Sequence, residues 1–324
     1  MATGDSATTI RVALTVDDLF QWRGMPEVRG QGCAAIARRM TDAFAAHAAR
    51  GVYAFSNTAP TEDDPPLFRV FDHWLEQGHH VGNHTHSHAS LNWLSPARYI
   101  EDIEKTEALI ARWSDLAPVR YFRHCFDMWG DTAEKRDAVL GWLTRAGYAV
   151  APISVWFYDA QFAVAYLRAL IAADADGLKW LRAAFVRNAV GQLRAQAAAA
   201  RLIFGRDPAQ ILLIHGTAVV GDCLAATLDA FAAEGVQFVS LDEAMADPMN
   251  QAQPLVTPLF RNQVQKWAQA KGVPIADCPP AILAELDAIA PLPGMGGDEL
   301  MAALLHAIAR SVGAEADIAN FSVA

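Results

Sequence analysis

Five separate stretches of this chain place ionisable side chains directly behind short apolar runs. They are Asp17-Asp18, the run His84-Thr85-His86-Ser87-His88, Arg123, Asp159 and His215. His84 and His88 stand four residues apart, a spacing that can aim two imidazoles at one ion from a helical turn or a tight loop. Taken alone the pair reads more readily as a surface turn. A carboxylate from another part of the chain changes the reading, because two His and one carboxylate with open positions form a usual catalytic metal set. Such a set suits zinc, and cobalt, nickel, iron or manganese could occupy it. Asp17 and Asp18 leave a strand on opposite sides, so one can reach a metal while the other faces the same cavity mouth. Near a cation and an arginine a carboxylate stays ionised and can act as a base. The plainer reading of either is a turn or helix cap. His215 follows the run Ile211-Leu212-Leu213-Ile214 and is either a satisfied core histidine or a general acid. The second role needs a carboxylate to keep the ring protonated, and Asp159 is the candidate. Thr85 and Ser87 suit fixing of the loop, and His86 is expected to point away.

These residues share one chemistry only if the fold gathers them. Strand-like runs are expected at Ile10–Val16, Val52–Ser56, His80–Asn83, Val119–Phe122, Ala149–Val155, Gln210–Ile214 and Val236–Leu241. Helical stretches alternate with them: Cys33–Arg50, Leu67–Gln77, Ser95–Trp113, Thr132–Ala146, a long region from about 161 to 201, and Asp222–Glu234. Gly51, Gly78 and Gly235 follow three of these as C-terminal stops. Ser95-Pro96 and Thr132 look like N-terminal starts. Seven strands alternating with helices predict a parallel α/β architecture. A closed or nearly closed barrel fits better than an open sheet, since all five polar stretches follow strand carboxyl ends, which converge on one face of a barrel. Residues 1–247 are read as that barrel, with a helical insertion at about 161–205. Residues 248–324 are read as a helical C-terminal extension, with pieces at Val264–Lys271, Pro280–Ile289 and Asp298–Val312.

Composition narrows the partners. The 324 residues are 53% hydrophobic with a net charge of −10, ample for a large core and unsuited to neutralising phosphates, so no nucleic-acid partner is expected. Cys33, Cys125, Cys223 and Cys278 form no CxxC pair, which argues against a disulfide framework and a cysteine zinc site and points to buried free thiols. No apolar run is long enough to span a bilayer. Met1 to Thr9 lacks the basic and apolar regions of a signal peptide. The expectation is a cytoplasmic protein without membrane contact, although a removed leader would read the same way. A homo-oligomer is compatible with the apolar helical extension.

The same residues carry a family likeness. Thr15-Val16-Asp17-Asp18, His84-Thr85 with His88, Arg123 with Phe126, Asp159, and Leu212-Leu213-Ile214-His215 resemble, in order, the five motifs of the polysaccharide deacetylases. This is carbohydrate esterase family 4, with its nodulation-type chitooligosaccharide deacetylase homology domain. Gly82-Asn83-His84-Thr85 with Ser87-His88, and Val239-Ser240-Leu241-Asp242-Glu243-Ala244, extend the likeness, which covers about Ile10 to Ala246. It implies a distorted seven-stranded (β/α) barrel. It also implies Asp17 as the base that activates water, Asp18, His84 and His88 as ligands of one divalent metal ion, and Arg123 as the residue orienting Asp17. The backbone N–H of Phe126 would hold the oxyanion, and His215, tuned by Asp159, would protonate the leaving amine.

Four positions depart from the family pattern. Leu19 stands for a glycine and is expected to crowd the mouth; Cys125 stands for a proline and would loosen the turn presenting Phe126. Trp156 stands for an aspartate and Ala160 for a tryptophan, so one wall of the sugar groove must be missing or rebuilt, from Trp156 or Trp129. The reading is therefore a metal-dependent hydrolase that takes an N-acyl group, acetyl first, from an N-acetylated sugar or related amide. Its substrate would be a small molecule or an oligosaccharide. Alternatives are a hydrolase of a small cyclic amide or ureide such as allantoin, and a metal-retaining inactive binding protein.

Overall fold

The computed structural model describes residues 9–21, 26, 28–275 and 277–322. Residues 1–8, on which the expectation about a leader rests, lie outside them. Seven parallel strands form one sheet: β1 (Arg11–Asp17), β2 (Tyr53–Ser56), β3 (His80–Asn83), β4 (Tyr121–Phe122), β5 (Ala149–Val150), β6 (Gln210–His215) and β7 (Gln237–Val239). The order is β5-β4-β3-β2-β1-β6, and β7 pairs with the start of β1. The ring closes through an isolated bridge between Val155 and Leu212. β1 is buried along nearly its whole length. That is why it reads as a continuous apolar run and not as an alternating one.

The helices are α1 (Cys33–Ala46), α2 (Arg69–Glu76), α3 (Pro96–Ser114), α4 (Ala133–Arg145), α5 (Asp159–Ile171), α6 (Ala175–Phe204), α7 (Ala218–Ala233) and α8 (Leu241–Met245). The Ser95 hydroxyl accepts from Arg98 N ahead of Pro96, and the Thr132 hydroxyl accepts from Lys135 N, so both expected starts are side-chain caps.

α1 ends at Ala46 with His47 as its cap, short of the expected stop at Gly51, and two further elements differ from the sequence reading for local reasons. The fifth strand stops at Val150, two residues before Pro152, which has no N–H to give to a ladder. The chain then turns away to meet β6 at Val155. The long helical region is two helices: Ala173 takes a left-handed φ of 51°, and the Asp174 carboxylate caps a new helix through Gly177 N at 2.9 Å.

Residues 248–322 add α9 (Pro248–Gln251), α10 (Gln263–Lys271), α11 (Pro280–Ala288), α12 (Gly297–Ser311) and a final 3-10 turn at Ile318–Phe321. They do not hang off the barrel. Val264 and Ala268 of α10 share a buried apolar cluster with Ala200 and Ile203 of α6. Arg168 of α5, itself buried, donates to the carbonyls of Leu286, Ile289 and Met295 at 2.6, 3.2 and 2.6 Å. It thereby ties down the end of α11 and the approach to α12. Among the described residues no helix is long and apolar enough to cross a membrane.

Candidate active site at the carboxyl ends of the strands

Strand register does the first positioning. Asp17, the last residue of β1, pairs with His215, the last residue of β6. Gly216 is what lets the two loops beyond them pass: a Cβ there would lie 2.6 Å from the Asp18 carbonyl and 2.7 Å from the Leu19 Cα. On the other side β3 delivers His84 and β4 delivers Arg123, whose N–H bonds the Asn83 carbonyl at 3.0 Å.

Each side chain is then fixed by specific partners. Arg123, fully buried, donates from Nη1 to Asp17 Oδ1 at 2.7 Å and to Thr15 Oγ1 at 2.8 Å, and its guanidinium lies over the Phe55 ring. The other Asp17 oxygen is 3.6 Å from His84 Nε2. His84 Nδ1 bonds the Arg123 carbonyl at 2.9 Å, which makes Nδ1 the protonated nitrogen and turns a lone pair on Nε2 toward Asp17. Asp18 Oδ2 lies 3.2 Å from His88 Nε2, and Asp18 Oδ1 accepts from Asn57 Nδ2 at 2.8 Å. The loop between the two histidines is held as expected: Thr85 Oγ1 accepts from His88 N, and Ser87 Oγ donates to Asp102. His86 turns away, to Thr58 and Glu62.

Across the opening, Asp159 opens α5 and receives both the His215 backbone N–H at 2.7 Å and the ring Nδ1 at 2.9 Å. Burial alone would press the His215 ring toward neutrality. The Asp159 carboxylate, with Asp18 and Asp17 beyond it, outweighs burial and raises the pKa to about 9. Burial likewise opposes ionisation of Asp18, yet the His88, His84 and His215 rings hold its carboxyl below the usual range. For His84 burial wins and its pKa falls, which favours the neutral imidazole that a metal requires.

The backbone carries strain in the same place. Asp18, Thr85, His88, Phe126, Asp127 and Tyr158 all have φ between 50° and 62°. Each lies just past a strand or in the loop that follows one. Left-handed backbone at non-glycine residues costs of order 1–3 kcal/mol apiece and tends to gather at functional sites.

The eight residues singled out in the sequence therefore come together. Asp17, His84, His88, Phe126, Asp159 and His215 line one cavity of about 70 Å³. Asp18 lies beside His88, and Arg123 lies behind Asp17. Two buried imidazoles with a buried carboxylate at 3.2 Å fit a divalent ion by donor type. Cys125 also enters this region: its sulfur and the ligand nitrogens of His84 and His88 lie within 4.8 Å of one another. That position was read only as a lost proline. Its thiol, pushed up by burial, bonds the His84 carbonyl and Thr85 and so helps hold the turn that the substitution was expected to loosen. All four cysteines are free and buried. Leu19 does not crowd the mouth; it is buried in the main core. Trp156 lines the cavity, whereas Trp129 packs on His124 and bonds Asp127.

Several neighbours escaped the sequence reading. Asn57 follows a strand end as the other polar residues do, and could have been found by that rule. Phe260, Met301, Leu304 and Phe321 also line the cavity, and nothing in their local sequence marks them. Lys266 of α10 makes a fully buried ion pair with Asp127 at 3.0 Å and also donates to the Asp127 carbonyl, anchoring the turn that carries Phe126.

Residues 5–142 match the family model for polysaccharide deacetylase. The likeness read from the motifs is thereby shown over a stretch that includes Asp17, Asp18, His84, His88, Arg123 and Phe126; Asp159 and His215 lie beyond it. None of the curated proteins matches the chain. Among solved structures it is similar to the chitin deacetylase of the fungal pathogen Colletotrichum lindemuthianum, at 20% identity, 74% coverage of this chain, 88% of that one and a TM-score of 0.48. It is similar to PdaA of Bacillus subtilis, described as a family 4 carbohydrate esterase, at 16% identity, 74% and 82% coverage and a TM-score of 0.46. A pseudoenzyme of the same family from Bacillus anthracis aligns at 15% identity, 74% and 66% coverage and a TM-score of 0.48.

Proposed function

We propose that this protein is a metal-dependent hydrolase that removes an N-acyl group, acetyl in the first instance, from an N-acetylated sugar or a related amide. The observation that carries this reading is the opposition of Asp17 and His215 at the ends of paired strands, with Asp18, His84 and His88 gathered beside them. A binder that only retained a metal would need no proton acceptor and proton donor in register.

Asp18, His84 and His88 would hold one divalent ion, zinc by donor type with cobalt, nickel, iron or manganese as substitutes. Such an ion supplies Lewis acidity, polarising a carbonyl and acidifying water. The residues of this chain do the rest. Asp17, oriented by Arg123 at 2.7 Å, takes a proton from the attacking water. The water oxygen bonds the carbonyl carbon as the C=O π pair moves onto oxygen, and the C–N bond breaks afterwards, as the C=O re-forms and the nitrogen is protonated. The Phe126 backbone N–H, on a turn held by Lys266 through Asp127, faces the developing oxyanion. His215, protonated through Asp159, delivers the proton to the departing nitrogen. The products are a carboxylate and an amine.

The small volume of the cavity favours one alternative substrate class, a small cyclic amide or ureide opened by the same groups. The test is a screen of metal-loaded protein against N-acetylglucosamine oligomers, simple acetamides and allantoin, with Asp17→Asn as control. Acetate release that disappears in Asp17→Asn supports the first reading, and ring opening without acetate selects the second. Silence on all substrates with metal bound leaves a binding protein.

A further inference from the structure

The cavity above the proposed site is walled by hydrocarbon. Apart from Asp17, His84, His88, Asp159 and His215, its polar lining groups are those of Tyr158 and Gln161 and the single indole N–H of Trp156. The Tyr158 hydroxyl is already engaged, accepting from Gln265 at 3.0 Å. The remaining wall is apolar, with Trp156 and Leu213 from the barrel facing Phe260, Met301, Leu304 and Phe321 from the C-terminal segment. Those last four face the carboxyl ends of the strands across the cavity.

Aromatic residues often serve sugars as stacking platforms, but here the ring faces are used on one another. Trp156 and Phe260 stack at 4.4 Å, and Phe260 and Phe321 at 5.8 Å; Phe126 meets Phe321 edge-on at 5.0 Å. A sugar ring entering this space would bring several hydroxyls and find few partners for them, an arrangement that selects against the sugar. A compact apolar group would lose no hydrogen bonds and would remove its surface from water.

We propose, on the basis of the hydrolase reading above, that the substrate is a small N-acylated amine bearing a compact apolar ring. The ring is held against Leu213, Met301 and Leu304, beside the wall that the mutually stacked rings of Trp156, Phe260 and Phe321 form. The C-terminal segment is thus the specificity element, and its aromatic roof replaces the polar groove that a sugar oligomer needs.

The experiment measures binding on the full-length, zinc-loaded Asp17→Asn protein by titration calorimetry, so that preference is read without turnover. The probes are acetamide, N-acetylbenzylamine, N-acetylglucosamine and its trimer. N-acetylbenzylamine is expected to bind about 100-fold more tightly than acetamide, the scale of burying one aromatic ring, and neither sugar to bind more tightly than acetamide. Adding Phe321→Ala is expected to weaken N-acetylbenzylamine about tenfold while leaving acetamide unchanged. Either sugar binding as tightly as N-acetylbenzylamine, or a ring that gains nothing over acetamide, overturns the proposal. Turnover by the wild-type protein is a separate arm: a ring preference without acetate release would sink the hydrolase reading and leave the specificity of the pocket standing.

Discussion

His215 shows how a single residue is set by its neighbours. Its ring is bound through Nδ1 to Asp159, so the transferable proton sits on Nε2. With a pKa raised to about 9 against an ordinary 6.5, the ring is charged at neutral pH, as an acid must be. The sign for stability follows: its charged form stabilises the fold fully below about pH 6.5, and that contribution is lost as pH rises through about 9. In metal-free protein, imidazole resonances followed by NMR should place the titration of His215 near 9, and Asp159→Asn should move it down by at least one unit. A titration at or below 6.5 in the unsubstituted protein would show that the pair is not formed. The gathering of these residues was legible in the sequence because each follows an apolar strand run, and strand ends converge on one face of a barrel. Cys125 was not legible as a neighbour of His84 and His88, since its position depends on a left-handed turn at Phe126 that no residue type announces.

Among the elements, the turn carrying Phe126 depends on a helix more than 130 residues away. Lys266 of α10 and Asp127 are both fully buried and bonded to each other. Burial presses both toward their neutral forms, and their mutual attraction and hydrogen bonds oppose it. Removing one partner of such a pair leaves an uncompensated charge, at a typical cost of about 3–5 kcal/mol. Lys266→Met should lower stability by that amount in urea unfolding, and adding Asp127→Asn should recover part of it. A loss below about 1 kcal/mol would mean that the two groups do not depend on each other. Caps lie at the other end of the scale: Ser95→Ala should cost about 1 kcal/mol, measured the same way, and no change at all would mean that the hydroxyl does not hold the start of α3. Caps of this kind were readable because the residues that make them are adjacent in sequence. Lys266 was not, because its partner is distant and its own surroundings, Gln265 and Trp267, read as an ordinary helix face.

For the whole molecule, the barrel was legible because strand runs and glycine stops repeat along residues 10–246, and a repeating pattern constrains topology. The relation of residues 248–322 to the barrel was not, since helices without a matching period can dock anywhere on a scaffold. The structure docks them over the site and into the α6 packing. A chain ending at residue 247 should therefore unfold at lower temperature and expose apolar surface to a fluorescent dye. An unchanged melting temperature and no dye binding would show the barrel to be self-sufficient.

The ring of strands meets itself at one narrow place, where Val155 bridges Leu212 and Ser154 bonds Ile211. Ile153, Trp156 and Leu213, three walls of the cavity, flank that seam. Amide protons there should exchange with deuterated solvent ahead of those in the interior of β1. A compound lodged against Trp156 should slow that exchange by clamping the seam, so occupancy of the cavity can be read from the backbone without any assay of turnover.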